Sequence, residues 1–214
     1  MKSSRRALIA GMTAFVLAAC GGDGGSGGTV DGLNDMAIGN ADAPATLIEY
    51  ASVTCGACYQ FHRDVVPTLK EMVDDGRVRF VFREFPTAPN EVAVAGFAIA
   101  RCAGDDAAYF EVLEDLFENQ SGILAAARNG TVRAALQAVA ARHGLDAAAF
   151  ETCLENEEVR TSIQAATNQG RADGVTGTPT FYLNGRQLYG AEGRTVESLV
   201  ELIDAIAPPP SGTE

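Results

Sequence analysis

The chain has 214 residues, of which 47% are apolar and 21% are charged, a composition typical of a folded protein with a sizeable core. Sixteen basic and 28 acidic side chains give a net charge of −12, which excludes the basic surface that nucleic-acid binding requires. No apolar stretch reaches the roughly 18 residues that a membrane-spanning helix needs. Five cysteines and two histidines are therefore the most informative residues about chemistry.

The N-terminus has the layout of an export signal. Lys2, Arg5 and Arg6 precede an apolar run over residues 7–19, which is too short to span a membrane, so we predict a signal peptide over residues 1–19. A buried N-terminal helix is the alternative, but a glycine-rich tract follows and would leave such a helix unsupported. Residues 17–20 (LAAC) resemble the bacterial lipobox, which implies that Cys20 is lipidated and anchors the chain in a bilayer.

Residues 20–38 are predicted to form a flexible linker behind this lipid anchor, because residues 21–28 are mostly glycine. Gly21 occupies the position at which lipoproteins of the inner membrane often carry aspartate, which favours the outer membrane. Export places the folded part in the periplasm, where disulfides form and persist. The linker is also too short for an N-terminal dimerisation domain, so we expect a monomer.

The first half of the folded part has a strand–helix–strand pattern. Residues 46–51 are rich in strand formers, residues 58–74 follow helical spacing, and residues 77–82 alternate between apolar and polar side chains. This order predicts a parallel strand pair joined by a crossover helix. From about residue 90 to 171 the pattern becomes helical, with breaks expected near Gly104, within 121–130, at Gly144 and near Asn156.

Residues 180–183 are again rich in strand formers. The Asn184-Gly185 dipeptide that follows them predicts a tight hairpin turn into a partner strand at 186–189. Asp146 and Thr195 are predicted to cap helices, and residues 208–214 are predicted to be a disordered tail. Removing the helical block at 90–171 leaves β-α-β followed by β-β-α. We therefore predict an α/β, thioredoxin-like fold, with its core at 39–89 and 172–207 and an inserted helical domain between them.

Cys55 and Cys58 form a C-x-x-C motif between the predicted strand and helix. A cysteine at a helix N-terminus is stabilised as a thiolate, so Cys55 is the candidate nucleophile and Cys58 the candidate resolving thiol. Two alternatives are a zinc site that uses Cys55, Cys58 and His62, and an inert disulfide. Zinc is disfavoured because a structural site needs four ligands, and no fourth is close in sequence.

Two separated segments resemble the DsbA-like thiol–disulfide oxidoreductases. Residues 49–62 (EYASVTCGACYQFH) are similar to that family's active-site segment, and residues 175–181 (VTGTPTF) to its cis-proline loop. Residues 39–44 and 82–86 also resemble family segments, and the likeness runs from Gly39 to Ala207. The chain departs from the family between the two cysteines, where Gly56-Ala57 stands in place of the Pro-His that is frequent in strong oxidants.

The resemblance implies roles for three further residues. Glu49 would be a buried acid that helps to move a proton from Cys58, and burial would raise its pKa; the alternative is a solvated glutamate on an edge strand. Thr178 and the cis-bonded Pro179 would bind an extended substrate chain beside the disulfide. His62 is predicted to be a partly exposed helix residue and His143 a helix-end residue, neither of them catalytic.

Cys102 and Cys153 lie in two predicted helices of the inserted block. Four cysteines allow three connectivities, and pairing Cys55 with Cys58 and Cys102 with Cys153 uses every sulfur apart from Cys20. We expect Cys102–Cys153 to be a structural disulfide; a second redox pair and two buried free thiols are the alternatives.

These observations predict a membrane-anchored periplasmic enzyme that exchanges disulfides with exported proteins, most simply as a dithiol oxidase. It needs no metal or organic cofactor, but it does need a membrane redox partner that the sequence does not identify. The alternatives are a reductase or isomerase of the same fold, a lipoprotein that binds unfolded chains without redox chemistry, and a metal-handling lipoprotein.

Overall fold

A computed structural model describes residues 33–210 of the chain. Its strands are β1 Met36–Ile38, β2 Ala45–Ala51, β3 Val78–Glu84, β4 Thr180–Leu183 and β5 Arg186–Leu188. Its helices are α1 Gly56–Asp64, α2 Val66–Asp74, α3 Asn90–Cys102, α4 Asp106–Glu118, α5 Gln120–Asn129, α6 Val132–Arg142, α7 Ala147–Glu155, α8 Glu157–Ala172 and α9 Val196–Asp204. The predicted signal peptide, Cys20, most of the linker and the end of the tail lie outside these residues.

The strands form one mixed sheet in the order β1-β3-β2-β4-β5. β2 and β3 run parallel, as the strand–helix–strand pattern predicted, whereas β4 pairs with β2 antiparallel. The hairpin between β4 and β5 turns at Asn184 (φ 47°) and Gly185 (φ 81°), the conformation that an Asn-Gly turn favours. Helices α3 to α8 lie between β3 and β4 in the chain, so the fold is the predicted α/β, thioredoxin-like fold with a helical insertion.

The side chains of β2 point to opposite faces of the sheet. Leu47 and Ala51 join the main core, which packs the sheet against α1, α2, α3 and α4, whereas Ile48 and Tyr50 belong to a smaller apolar cluster with Val81 and Val175. Glu49 lies between Ile48 and Tyr50 in β2, so its side chain points to the opposite face of the sheet. That face carries the main core and packs against α1. The Glu49 side chain is fully buried.

Strand β1 lies within the range predicted as flexible linker, so that prediction is wrong for residues 36–38. β1 pairs antiparallel with β3 at the edge of the sheet. Asp35 forms a buried ion pair with Arg83 at 2.7 Å, and the Ala37 amide donates to Asp106 at 3.1 Å. A strand of three residues is too short to show periodicity, and its partners lie about 45–70 residues away in the chain.

Two predicted helix boundaries also differ from the structure. The helix expected over 58–74 is divided at Val65, because Pro67 lies in the first turn of α2 and has no N–H to continue the helical hydrogen bonds. The break expected within 121–130 is instead helix α5, in which Ile123 and Ala126 are buried. Burial of these side chains outweighs the low helix propensity of Gly122, and α5 ends at Gly130, whose φ is 80°.

Two predicted helix caps are confirmed. The Asp146 carboxylate accepts a hydrogen bond from the Ala149 amide, and the Thr195 hydroxyl accepts one from the Ser198 amide. Across residues 33–210, no helix combines the length and apolarity needed to cross a bilayer.

Candidate active site

Cys55 caps the N-terminus of α1, four residues after β2 ends. Its sulfur accepts a hydrogen bond from the Cys58 amide, with 3.4 Å between nitrogen and sulfur. Cys55 is half-buried, whereas Cys58, one turn into the helix, is fully buried. Both are free thiols in this structure, and Gly56 and Ala57 between them are exposed.

The two thiols have opposite acidities. A hydrogen bond from the Cys58 thiol, assisted by hydrogen bonds from Thr178 and from the Cys58 and Ala57 amides, lowers the pKa of Cys55 to about 5 despite its partial burial. Burial is the main cause that raises the pKa of Cys58, and the hydrogen bond to Cys55 and the negative charge of Glu49 add to it. At neutral pH the pair therefore consists of an accessible thiolate and a buried protonated thiol.

The loop before β4 lies against Cys55. The Thr178–Pro179 peptide bond is cis, as predicted, and in its thiol form Cys55 donates to the Thr178 carbonyl oxygen at 3.3 Å. Arg194 donates to the Pro179 carbonyl oxygen at 2.9 Å from the other side of the loop. Residues separated by more than a hundred positions in the sequence thus meet at one sulfur.

Glu49 lies in the interior on the α1 side of β2, and burial raises the pKa of its carboxyl group even though His62 opposes the shift. Its Oε2 atom is 2.9 Å from Nε2 of His62. The prediction that His62 is a partly exposed helix residue is wrong, because its side chain is 4% exposed and its ring stacks on Phe117 at 4.0 Å. His62 follows Cys58 by four residues, so both occupy the inner face of α1; the spacing is visible in the sequence but does not by itself predict burial.

Gln120, at the start of α5, is a second residue that sequence reasoning missed. Its side-chain nitrogen donates to the carbonyl oxygens of Val53 at 2.9 Å and Cys55 at 3.0 Å, and so ties the inserted helices to the active-site segment. The hydroxyl of Thr54 bonds in turn to Ser52 and Thr87. No periodicity or motif marks these contacts, because they join parts of the chain that are distant in sequence.

Cys102 and Cys153 form a disulfide between α3 and α7, with their Cα atoms 6.1 Å apart. His143 caps the end of α6, and its Nε2 atom lies 3.0 Å from Oδ2 of Asp115 and not against Cys55 or Cys58. In the part of the chain that the structure describes, no three His, Cys, Asp or Glu side chains group as metal ligands. His62, the third residue of the zinc alternative, is bonded to Glu49 instead.

Comparison with known sequences finds a matching family and individual relatives. The profile of a family described as Thioredoxin matches residues 32–205. A Rickettsia prowazekii protein, provisionally named a protein-disulfide oxidoreductase, is 27% identical over 173 residues, which are 80% of this chain and 61% of that protein. The chain thus spans about three fifths of the length of this relative.

Solved structures give the same result for the fold. The crystal structure of Wolbachia pipientis alpha-DsbA1 is 26% identical, with a TM-score of 0.73 over 81% of this chain and 90% of that one. A structure named protein-disulfide isomerase, from Novosphingobium aromaticivorans, is 23% identical, with a TM-score of 0.68 over 80% of this chain and 96% of that one. At this identity the likeness supports the fold alone. The chain therefore belongs to the thioredoxin superfamily, as a DsbA-like member.

Proposed function

We propose that this protein is an exported thiol–disulfide oxidoreductase that exchanges disulfides with substrate proteins through Cys55 and Cys58. One observation carries the proposal: a half-buried sulfur at a helix N-terminus has its pKa lowered to about 5, while a buried thiol lies one turn behind it. Thiol–disulfide exchange needs this division between an attacking thiolate and a resolving thiol.

The oxidising reaction begins with the Cys55–Cys58 disulfide. A substrate thiolate attacks Cys55, the bond between the two cysteines breaks, and Cys58 leaves and takes up a proton. A second thiolate of the substrate then attacks the mixed disulfide, which forms the substrate disulfide and releases Cys55 as a thiolate. Two electrons pass from the substrate to the cysteine pair, so no metal or organic cofactor is required.

Glu49 is the proposed proton donor to Cys58 in the first step and the proton acceptor when the reaction runs in reverse. Burial of the carboxyl group raises its pKa, which favours a protonated acid that can donate. Thr178 and Pro179 are proposed to bind the substrate chain, since the Thr178 carbonyl group lies beside the Cys55 sulfur.

The oxidase direction is favoured over reduction or isomerisation. A more stable thiolate stabilises the reduced form and makes the disulfide more oxidising, and the pKa of Cys55, about 5, is below the value of about 7 known for thioredoxin. A membrane redox partner would reoxidise the pair. Chains that are still folding after export are the proposed substrates.

We also propose that the protein acts in the periplasm as a monomer, held by lipid on Cys20, with the outer membrane favoured. The sequence of residues 1–20 and the disulfide between Cys102 and Cys153 support export. Mass spectrometry of the mature N-terminus tests the anchor: an acylated Cys20 is expected, and a mature N-terminus that lacks an acylated Cys20 would contradict it.

Capture of a reaction intermediate tests the enzymatic proposal. The Cys58→Ala variant, incubated with an unfolded protein that contains a disulfide, is expected to accumulate a mixed disulfide at Cys55, because the resolving thiol is absent. Oxidised wild-type protein is expected to convert a reduced dithiol protein to its disulfide, and Cys55→Ser to do neither. Failure of both the capture and the oxidation would remove the redox proposal in favour of chain binding alone.

A further inference from the structure

The Glu49–His62 pair lies between the active-site sulfurs and a surface pocket. The Glu49 side chain has no exposed surface, whereas the His62 side chain is 4% exposed and lines a pocket of about 390 Å³. Residues of α1, α2 and α4 line this pocket, and Glu49 is not among them. His62 therefore connects a fully buried acid with a solvent-accessible space.

Each member of the pair keeps one buried polar atom without a hydrogen-bond partner among the residues that the structure describes. These atoms are Oε1 of Glu49 and Nδ1 of His62. Buried polar atoms are usually satisfied, so each of these two calls for an explanation, of which a role in catalysis is one. A proton path through the pair needs one such free atom at each end of the Nε2–Oε2 contact, one to exchange with Cys58 and one to exchange with the pocket.

Aromatic rings hold the imidazole ring in place. It stacks on Phe117 at 4.0 Å and contacts the edges or faces of Phe61, Phe80 and Phe82. The charged and titratable groups around the Glu49–His62 pair are Cys55 and Cys58 near Glu49, Tyr59 and Arg63 on α1, Lys70 on α2, and Glu114 and Glu118 on α4. Lys70 and Glu114 pair with each other across the pocket, and Arg63 pairs with Asp64.

We propose that His62 is a positioning residue that orients Glu49 and carries its proton to and from the pocket in every turnover. The inference rests on the proposed function, in which Glu49 exchanges a proton with Cys58. When Cys58 leaves the active-site disulfide, Glu49 gives it a proton and becomes a carboxylate. The imidazole ring takes a proton at Nδ1 from solvent in the pocket and passes the proton at Nε2 to this carboxylate. In the reverse direction, each transfer is reversed.

The burial of Glu49 is the reason that such a path is needed. Once Glu49 has lost its proton it is an anion in the apolar interior, which is unfavourable unless the proton is replaced quickly. Its side chain has no contact with solvent, so the replacement must pass through a neighbouring group that can both accept and donate. An imidazole does both through its two ring nitrogens.

The test separates the two chemical steps. Reduced protein is mixed with glutathione disulfide, quenched in acid at set times and analysed by mass spectrometry, so that the mixed disulfide at Cys55 and the final Cys55–Cys58 disulfide are both counted. His62→Gln keeps a side chain that can hydrogen-bond to Glu49 but cannot relay a proton. We expect attack by Cys55 to proceed at the wild-type rate and resolution by Cys58 to slow by about tenfold or more, within the range of general acid–base effects.

Two readouts distinguish a proton path from a structural role. The pH profile of the resolution step should change in His62→Gln, and free imidazole should restore the rate in His62→Ala, whereas pyrazole, which has the same size but is a much weaker base, should not. His143→Gln is the matched control, because that histidine also contacts a carboxylate, at 3.0 Å, but lies outside the active site. It is expected to leave both steps unchanged.

Three results would overturn the inference: wild-type resolution kinetics and pH profile in His62→Gln, equal slowing of both steps, or equal rescue by pyrazole and imidazole. In each case wild-type exchange would still occur, so the proposed function would stand. If the wild-type protein forms neither the mixed disulfide nor the final disulfide, the proposed function itself fails.

Discussion

The sulfur of Cys55 lies 3.3 Å from the carbonyl oxygen of Thr178, although 123 positions separate the two residues in the chain. The contact exists because β4 pairs with β2, which brings the loop before β4 beside the segment that follows β2. A substrate chain bound along Thr178 would therefore have its own sulfur next to Cys55.

Thr178→Val tests the electrostatic part of this relationship. Valine has nearly the shape of threonine but cannot hydrogen-bond to the sulfur, and the Thr178 side chain is one of the groups that lower the pKa of Cys55. We expect the pKa of Cys55 to rise above about 5, measured from the thiolate absorbance near 240 nm as a function of pH. Thr176→Val, at an exposed position in the same loop, should leave it unchanged. Equal titration curves for all three proteins would show that Thr178 has no such effect.

The stability of the reduced protein should depend on pH through Cys55. Its pKa is lowered from 9.0 in the unfolded chain to about 5 in the folded protein, so the unfolded chain binds more protons between these values. The stabilisation is fully present above pH 9 and is lost as pH falls through 5. Urea denaturation of reduced and oxidised protein should therefore show the reduced form gaining stability relative to the oxidised form from pH 5 to 8. A difference that stays constant over this range would contradict the ionisation of Cys55.

Gln120→Ala should destabilise the protein. The substitution leaves the carbonyl oxygens of Val53 and Cys55 without their side-chain donor in a buried position, which costs about 1–3 kcal/mol. Gln164→Ala removes a similar side chain from an exposed site on α8 and should have little effect. Denaturant unfolding of the two variants measures the difference, and equal stabilities would show that the Gln120 contacts contribute nothing net.

The disulfide between Cys102 and Cys153 should stabilise the fold without taking part in exchange. It joins two cysteines 51 positions apart in the chain, and closing a loop of that length is worth about 4 kcal/mol in the chain-entropy model. The double variant Cys102→Ala/Cys153→Ala should unfold at lower denaturant concentration but oxidise a dithiol substrate at the wild-type rate per folded molecule. A lower rate would instead favour the alternative of a second redox pair.

Sequence reasoning located the parts of the site that depend on local pattern. The C-x-x-C motif follows a strand and begins a helix, and the Thr-Pro dipeptide precedes the next strand, so their places in the fold followed from the order of elements. Glu49 was identified through the resemblance to the DsbA-like family, and its position within an apolar strand supported that assignment. Each of these signals lies within a few residues of the position concerned.

The contacts that were missed join distant parts of the chain. Gln120 reaches Val53 and Cys55 from an inserted helix whose start the sequence did not reveal, because Gly122 and Gly130 suggested a break. The one-turn spacing of His62 after Cys58 is visible in the sequence, but it did not reveal that the ring is buried against Glu49 and Phe117. β1 is fixed by Arg83 and Asp106, neither of which is near it in sequence.

The reduction potential of the Cys55–Cys58 pair is the most direct test of the proposed oxidase. Equilibration in glutathione buffers, with Cys102→Ala/Cys153→Ala as the control for the second disulfide, gives the value by mass spectrometry of trapped thiols. The low pKa of Cys55 predicts a potential on the oxidising side of about −180 mV, toward the value of about −120 mV known for DsbA. A potential near the value of about −270 mV known for thioredoxin, or no glutathione-dependent transition at all, would contradict the account.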